Sequence, residues 1–202
     1  MFLSKIFIPW QKARNPYDIH RELWHLFPNR PDESRGFLFR VEKQQKGLGA
    51  EILMQSNSEV SAVNGTVRII GSRKYVFSLQ KGQKIRFRLR ANPIKTIKDE
   101  DGRLNQRDEI KKCRVPLIRE EDQKAWIERK LEKICSLDAL VFQQEMPLYF
   151  RKSNSKRAGK IQTVLFDGVL NINDPDALIE MIKNGIGPAK AFGCGLLSMA
   201  RF

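Results

Sequence analysis

The order of short apolar segments is the feature that most restricts how this chain can fold. Most segments alternate apolar and polar residues, which is typical of strands, and three have the helical period of 3.6 residues. The first half has a helix over 16–27 among predicted strands at 2–8, 36–43, 51–56 and 75–80. The second half has helices over 119–134 and 174–185 among predicted strands at 84–91, 112–118, 141–150, 160–172 and 195–202.

Each half fits one βαββαβ unit. In the second half, residues 112–118 are predicted to pair with the strand at 84–91 as a hairpin. We therefore predict an α+β fold of two tandem ferredoxin-like (RRM-like) domains. The predicted boundary lies near Gly82, giving domains of residues 1–82 and 83–202. Because this fold carries many unrelated functions, the architecture alone assigns none.

The net charge of the chain restricts the classes of binding partner. A net charge of +14 attracts polyanions, with nucleic acid as the first candidate and an anionic membrane surface as the rival. No apolar run approaches the roughly 18 residues of a spanning helix. The first residues, MFLSKIFIPWQK, alternate like a strand and lack the features of a signal peptide. We expect a cytoplasmic protein that does not bind a membrane.

The first helix carries the residues best suited to chemistry. Asn15 is the predicted N-cap and Pro16 the first helical residue. At about 100° per residue, Tyr17, His20 and Arg21 share a face beside the apolar stripe. A phenol, an imidazole and a guanidinium suit RNA cleavage by the ribose 2′-hydroxyl, which needs proton transfer and stabilisation of the phosphate. The alternative is a histidine that is merely packed among aromatic rings at the edge of the core.

Basic residues are concentrated in three further segments. A strand at 84–91 would place its cations on one face, about 6.6 Å apart, which is close to the phosphate spacing of RNA. No acid occurs from residue 84 to 98, whereas a solvated sheet face usually mixes both signs. The loop RKSNSKRAGK (151–160) also lacks acids. The segment 98–114 mixes both signs and is either an exposed hairpin arm against a duplex groove or a solvated loop. The candidate RNA-binding cations are Arg21, Lys84, Arg86, Arg88, Arg90, Lys95, Arg151, Lys160 and Lys190.

Two segments, one rich in glycine and one with aromatic residues, each have more than one interpretation. The glycines around Lys190, GIGPAKAFGCG (185–195), either let backbone N–H groups approach a phosphate or form a tight connection. The segment RGFLFRV (35–41) resembles an RNA-stacking strand only weakly, and Phe37 and Phe39 are equally suited to a core. The cysteines and acids have no metal-ligand spacing, so we expect no metal, no cofactor and no small-molecule substrate.

Several longer stretches resemble one known family over nearly the whole chain. They are LWHLFPNRPDESRGFLFRVEK (23–43), RFRLRANPIKTI (86–97), KKCRVPLI (111–118), GKIQTVLFDGVLNIND (159–174) and GIGPAKAFGCGLLS (185–198). These resemble the CasE family, the CRISPR RNA-processing endoribonucleases of the type I-E Cascade complex.

The resemblance implies two ferredoxin-like domains and metal-independent cleavage of precursor RNA at the 3′ base of a repeat stem-loop. It implies 5′-hydroxyl and 2′,3′-cyclic phosphate ends, retention of the crRNA hairpin, and assembly with other Cascade subunits. The catalytic histidine of the family matches His20, and a tyrosine that is catalytic in some members matches Tyr17. The following basic residue matches Arg21, and loop cations that bind RNA match Arg151 and Lys160. A non-catalytic RNA-binding subunit is the alternative, and it would have no need of His20.

Overall fold

The computed structural model describes residues 1–27, 36–61, 65–105, 107–151 and 158–202, the side chains of Arg151 and Ala158 excepted. Within these residues two four-stranded antiparallel sheets form the body of the protein. The first sheet is built from residues 2–74 and the second from residues 84–201. Each sheet is covered on one face by helices.

The first sheet is formed by four strands with two helices between the first and the second. The elements are β1 (Phe2–Pro9), α1 (Trp10–Ala13), α2 (Pro16–Trp24), β2 (Phe37–Gln45), β3 (Gly49–Ser56) and β4 (Arg68–Lys74). The strand order is β2-β3-β1-β4, and all pairs are antiparallel. This order is that of a ferredoxin-like sheet.

Helix α2 forms where the sequence predicts it. The side chain of Asn15 accepts a hydrogen bond from the backbone N–H of Tyr17 (3.1 Å), and Pro16 occupies the first turn. Ile19 and Leu23 are buried against the sheet. The α-helix ends at Trp24, and the predicted extension to Phe27 continues only as i to i−3 bonds, such as that from Phe27 N to Trp24 O (3.0 Å).

The second sheet repeats the topology and carries two inserted hairpins. The elements are β5 (Lys84–Ala91), β6 (Ile94–Lys98), β7 (Lys112–Pro116), α3 (Glu120–Leu131), β8 (Cys135–Gln144), β9 (Leu148–Arg151), β10 (Ala158–Ile161), β11 (Val164–Ile172), α4 (Pro175–Asn184), a 3-10 turn (Lys190–Phe192) and β12 (Leu197–Arg201). The strand order is β12-β5-β11-β8, while β6 pairs with β7 and β9 with β10. The protein is thus two tandem ferredoxin-like units, as predicted.

Two predicted elements are wrong. The strand expected at residues 75–80 is instead β4, Arg68–Lys74, which pairs with β1. The alternation in 75–80 has another cause, because Phe77 and Leu79 pack against the core of the second sheet. Residues 112–118 were expected to pair with the strand at 84–91, but β7 pairs with β6. The predicted boundary near Gly82 stays a prediction.

A second pair of predictions merged separate strands. The strand expected at 141–150 is the end of β8 followed by β9, and the strand expected at 160–172 is the end of β10 followed by β11. The β9–β10 hairpin is therefore an insertion at the edge of the sheet, and it lies against α2.

A buried arginine joins the two units. Arg40 projects from β2 and is only 3% exposed. Its guanidinium donates to Arg88 O (3.0 Å), to Leu196 O (3.4 Å) and to Ser198 Oγ (2.9 Å), and it pairs with Glu42 (2.7 Å). Burial lowers the pKa of Arg40, and the neighbouring Glu42 carboxylate opposes that shift.

Two further contacts complete this junction. Gln55 of β3 donates to Ile182 O of α4 at 2.8 Å, and a Cβ built on Gly185 would lie 2.7 Å from the side chain of Leu38. Gly185 has φ 73°, so both its conformation and its surroundings favour glycine. The outer face of the first sheet is therefore packed against the α4–β12 connection. Among the described residues, no helix combines the length and the apolar character needed to cross a membrane.

Substitution of Arg40 tests whether this junction stabilises the whole protein. We expect Arg40→Ala to lower the free energy of unfolding by about 2–4 kcal/mol, because it leaves buried carbonyl groups and Glu42 without their donor. The measurement is urea unfolding followed by circular dichroism. Arg129→Ala, on the exposed side of α3, is the matched control and should change stability little. Equal stabilities of the two variants would contradict the assigned role of Arg40.

Candidate functional site

The imidazole of His20 lies half-buried at the edge of the first core. Its ring centre is 5.8 Å from that of Phe37, 6.3 Å from that of Phe39 and 6.2 Å from that of Trp24. The Phe39 ring is nearly parallel to the imidazole at 25°, and the Trp24 ring meets it edge-on at 83°. The predicted aromatic surroundings are present. The residue as a whole is half-buried, and Nε2 of its ring is buried.

The other two predicted residues of this face flank His20 on α2. Tyr17 lies one turn before it and is partly exposed. Arg21 is half-exposed and forms an ion pair with Asp18 at 3.2 Å, so its guanidinium is oriented along the helix. The side chain of the second histidine, His25, is half-exposed, and its Nδ1 lies 3.7 Å from the carboxylate of Glu22. The helix thus brings a phenol, an imidazole and a cation to one face at the edge of the core.

The second unit supplies one wall beside this helix. Phe150 of β9 and Phe192 of the 3-10 turn pack with ring centres 4.3 Å apart. Both elements contact α2, and a cleft of about 110 Å³ lies between them. Its lining includes Pro16, Ile19, Phe39, Leu148 and Phe192. The cleft therefore lies at the junction of the two units, beside the helix that carries His20.

The glycine-rich segment is a tightly packed connection. A Cβ on Gly187 would lie 2.9 Å from the ring of Trp126, and one on Gly193 would lie 3.3 Å from the ring of Phe39. The φ angles of these glycines are 77° and 81°. Lys190 donates through Nζ to Asn184 O (2.6 Å) at the end of α4. These contacts support the tight-connection interpretation, and phosphate binding by Lys190 stays a prediction.

The basic strand β5 alternates as predicted, but its cations are partly neutralised. Lys84 pairs with Asp138 of β8 at 2.7 Å, and Arg88 forms a two-point contact with Asp167 of β11 at 2.7 and 3.1 Å. The hydrogen bond from Arg88 to Asp167 raises the pKa of the guanidinium. Residues 84–98 contain no acid, but in the folded protein acids from other strands of the same sheet pair with two of these cations.

The other two cations of β5, Arg86 and Arg90, differ from one another. Arg90 pairs with Glu145 and its side chain is only 16% exposed, so it acts mainly within the fold. Arg86 is exposed, and its Nε donates to the backbone carbonyl of Arg201 at 3.2 Å. Arg86 is therefore the cation of this strand that is best placed to meet a phosphate.

The remaining candidate cations lie on the two hairpins. Lys95 of β6 is exposed. Lys160 of β10 is exposed beside Tyr149, with Nζ 5.9 Å from the ring centre. The side chain of Arg151 and residues 152–157 lie outside the described residues. The segment 98–114 forms the outer part of the β6–β7 hairpin, which agrees with an exposed arm rather than a plain loop.

Sequence reasoning did not find the acids that pair with the basic strand or the role of Arg40. Asp138 and Asp167 lie on later strands and Glu145 directly follows β8, and only the sheet topology brings these acids near β5. An arginine among the apolar residues at the start of β2, FLFRV, was the available signal for Arg40. Phe37 and Phe39 are 4% and 1% exposed, which confirms them as core residues. Across the described ranges, no three His, Cys, Asp or Glu side chains form a group that could hold a metal ion.

Comparison with known proteins gives matches along the whole chain. A family model described as CRISPR associated protein matches residues 1–201. The chain is 48% identical over 200 residues to the CRISPR system Cascade subunit CasE of Escherichia coli (strain K12), covering 99% of each. It is 31% identical over 221 residues to the CRISPR-associated endoribonuclease Cse3 of Thermus thermophilus, covering 99% of this chain and 100% of the relative.

Solved structures agree with these matches. The crystal structure of the CRISPR-associated protein Cas6e from Escherichia coli K-12 superposes with a TM-score of 0.86 at 46% identity, covering 100% of both chains. A structure of the CRISPR endoribonuclease Cse3 bound to a 19-nucleotide RNA gives a TM-score of 0.78 at 31% identity, covering 99% of this chain and 100% of that one. Because these matches run from one end of the chain to the other, the protein belongs to this family of CRISPR-associated proteins.

Proposed function

We propose that the protein is an endoribonuclease that cuts CRISPR precursor RNA at the 3′ base of the repeat stem-loop. It then stays bound to the crRNA hairpin as a subunit of a type I-E Cascade complex. The observation that carries the proposal is the end-to-end likeness to CasE and to the endoribonuclease Cse3. The likeness to Cse3 bound to RNA supports RNA as the substrate.

The proposed chemistry is an internal transfer at one phosphate. The ribose 2′-oxygen forms a bond to the adjacent phosphorus while the bond from phosphorus to the 5′-oxygen breaks. The 2′ proton goes to a base, and the departing 5′-oxygen receives a proton, giving a 2′,3′-cyclic phosphate and a 5′-hydroxyl. His20 takes part in proton transfer, since an imidazole titrates near neutral pH. Tyr17 orients the RNA or donates a hydrogen bond, and Arg21 is close enough on the helix to face the phosphate.

The RNA is held by cations on several elements. The described geometry favours Arg86, Lys95 and Lys160, which are exposed and form no ion pair with a carboxylate among the described contacts. Lys84 and Arg88 are exposed but paired with acids, so each must share or exchange its partner to bind a phosphate. The proposed set also includes Arg21, Arg90, Arg151 and Lys190. We further propose domains of residues 1–82 and 83–202, a cytoplasmic location and no cofactor.

A non-catalytic RNA-binding subunit is the second candidate. The observation that favours it is the packing of His20 among three aromatic rings, which also suits a structural residue. The two candidates share the same cationic surfaces. They differ in whether the protein turns RNA over, and His20 is the residue that decides between them.

Metal dependence tests the proposed chemistry directly. We expect repeat RNA to be cut fully in EDTA, because proton transfer by side chains and attack by the 2′-hydroxyl need no divalent ion. The measurement is gel analysis of the products together with mass spectrometry of their ends. A loss of cleavage in EDTA that magnesium restores would falsify the mechanism, as would products that carry 3′-hydroxyl ends.

Replacement of His20 separates chemistry from binding. We expect His20→Ala to reduce the single-turnover rate by about 10²–10⁴-fold while hairpin affinity is kept, because the affinity comes from the cationic surfaces. His25→Ala is the matched control, since His25 points outward from the same helix. Tyr17→Phe shows whether the phenol hydroxyl contributes to the rate. If His20→Ala cleaved at the wild-type rate, His20 would not be catalytic. If it neither bound nor cleaved RNA, the role of His20 would be structural.

The salt dependence of binding tests the surface cations. A contact with phosphate releases counterions, so each lost contact should reduce the slope of log affinity against log salt by roughly 0.7–0.9. We expect this reduction for Arg86→Ala and Lys160→Ala, and a smaller one for Arg88→Ala because its guanidinium is bound to Asp167. The measurement is hairpin affinity at several salt concentrations, with Arg129→Ala as the control. Unchanged slopes for Arg86→Ala and Lys160→Ala would remove both residues from the interface.

A further inference from the structure

The strands β6 and β7 form a hairpin, and the arm is this hairpin with the described part of its connection, residues 94–105 and 107–116. Its strands pair Thr96 with Arg114 and Lys98 with Lys112. Because residues directly opposite in an antiparallel pair project to the same side, these four share one face. All four are exposed, and three of them are cations. This cationic face carries no acid from either strand.

The opposite face of the arm contains a buried carboxylate at the position where the paired strands end. Asp99 directly follows β6, and its side chain is only 2% exposed. Arg103 donates through Nε to both carboxylate oxygens at 3.1 Å, and its Nη2 lies 3.0 Å from Oδ2. The backbone N–H of Asp101 donates to Oδ1 at 3.1 Å, and the Cys113 thiol lies 4.0 Å from Oδ2. Asp99 is therefore fully occupied within the arm and does not neutralise the cationic face.

The backbone around Asp99 fixes where the turn begins. Asp99 N donates to Lys111 O (2.8 Å), and Lys111 N donates to Arg103 O (2.7 Å). Gly102 N closes a tight turn onto Asp99 O (3.2 Å), with φ 65° at this glycine. The Asp99 side chain thus ties the first residue of the turn to Arg103, which is hydrogen-bonded to the returning strand. Removal of the side chain would leave only backbone hydrogen bonds to hold the outer half of the arm to its base.

The arm depends on such a contact more than the main sheets do. It is a sheet of two strands, and a two-stranded hairpin is at best marginally stable by itself. An arm that is disordered before binding must be ordered by the RNA, and that ordering reduces the affinity. A carboxylate that orders the arm in advance therefore strengthens binding to a polyanion, although its own charge is repelled by phosphate.

We propose that Asp99 is a positioning residue for RNA: by holding Arg103 and the start of the turn, it presents the cationic face of the arm to the repeat hairpin. This inference rests on the proposed function, because it needs a duplex RNA ligand. The bonds from Arg103 lower the pKa of Asp99, so the carboxylate is ionised and able to hold Arg103 at neutral pH.

The effect of net charge and the effect of ordering the arm predict opposite changes in RNA affinity, and the test uses this difference. Asp99→Ala raises the net charge from +14 by one, to +15, so electrostatics alone predicts tighter RNA binding. The proposal predicts the reverse, a dissociation constant about 3–10-fold higher, from the ordering of a few side chains and turn residues. Glu100→Ala is the matched control, since it makes the same charge change at the adjacent exposed position. It should bind as wild type or tighter.

A second variant and a kinetic measurement exclude a general loss of structure. Arg103→Lys keeps the charge of the arm but removes the two-point contact, and it should weaken binding in the same direction as Asp99→Ala. In single-turnover cleavage we expect the half-saturating protein concentration to rise while the rate at saturation stays that of wild type. Hydrogen exchange should increase in residues 99–112 and not in the two main sheets.

The outcomes are distinct from those that test the proposed function. If the wild-type protein does not bind the hairpin, the proposed function fails and this inference with it. If the wild type binds and Asp99→Ala binds as tightly as Glu100→Ala, the inference alone is overturned. A lower rate at saturation with unchanged half-saturation would also overturn it, because Asp99 would then affect folding or chemistry rather than presentation of the arm.

Discussion

The buried guanidinium of Arg40 is the contact on which the arrangement of the two units most depends. It projects from β2, whose other face carries Phe37 and Phe39 beside His20, and it reaches backbone carbonyls of β5 and of the segment before β12. A buried charge is costly unless every donor is used, so its partners must keep their positions. Arg40 thereby holds the strand that bears the aromatic support of His20 against the strand that bears Arg86 and Arg88, and Gln55 and Gly185 add to the same junction.

The charge pattern of the second sheet shows why a run of cations in a sequence is an incomplete guide to a binding surface. Along the chain, β5 has no acidic neighbour for many residues on its C-terminal side. In the sheet, antiparallel pairing with β11 places Asp167 directly opposite Arg88. Such cross-strand pairs orient the long side chains and reduce the local field. Binding to phosphate then depends more on the cations without an acidic partner than on the total number of cations in the strand. Among the described contacts, those cations include Arg86 and, on the two hairpins, Lys95 and Lys160.

Much of the fold could be predicted because local signals and tertiary structure agree in it. Asn15 and Pro16 begin α2 in sequence and in space, and the alternation of β5 survives as an apolar inner face and a basic outer face. β4 could not be found by the same means. It is an edge strand whose residues are mostly exposed, so no apolar period marks it, whereas residues 75–80 have such a period because they pack against the second core. Strand partners could not be found from the pattern either, since β6 and β7 pair with each other whereas β5 pairs with β11 and β12.

Of the candidate site, the sequence predicted only the residues that lie together on one helix. Helical spacing brings Tyr17, His20 and Arg21 together, whereas the wall of Phe150 and Phe192 comes from residues more than a hundred positions later. This division also separates two tasks. The groups suited to proton transfer lie on α2 of the first unit, and most of the exposed cations proposed to hold RNA lie on β5 and on the two hairpins of the second. Because different elements carry chemistry and affinity, the RNA contacts can remain after the scissile bond is broken, and an enzyme built this way is suited to keep its product.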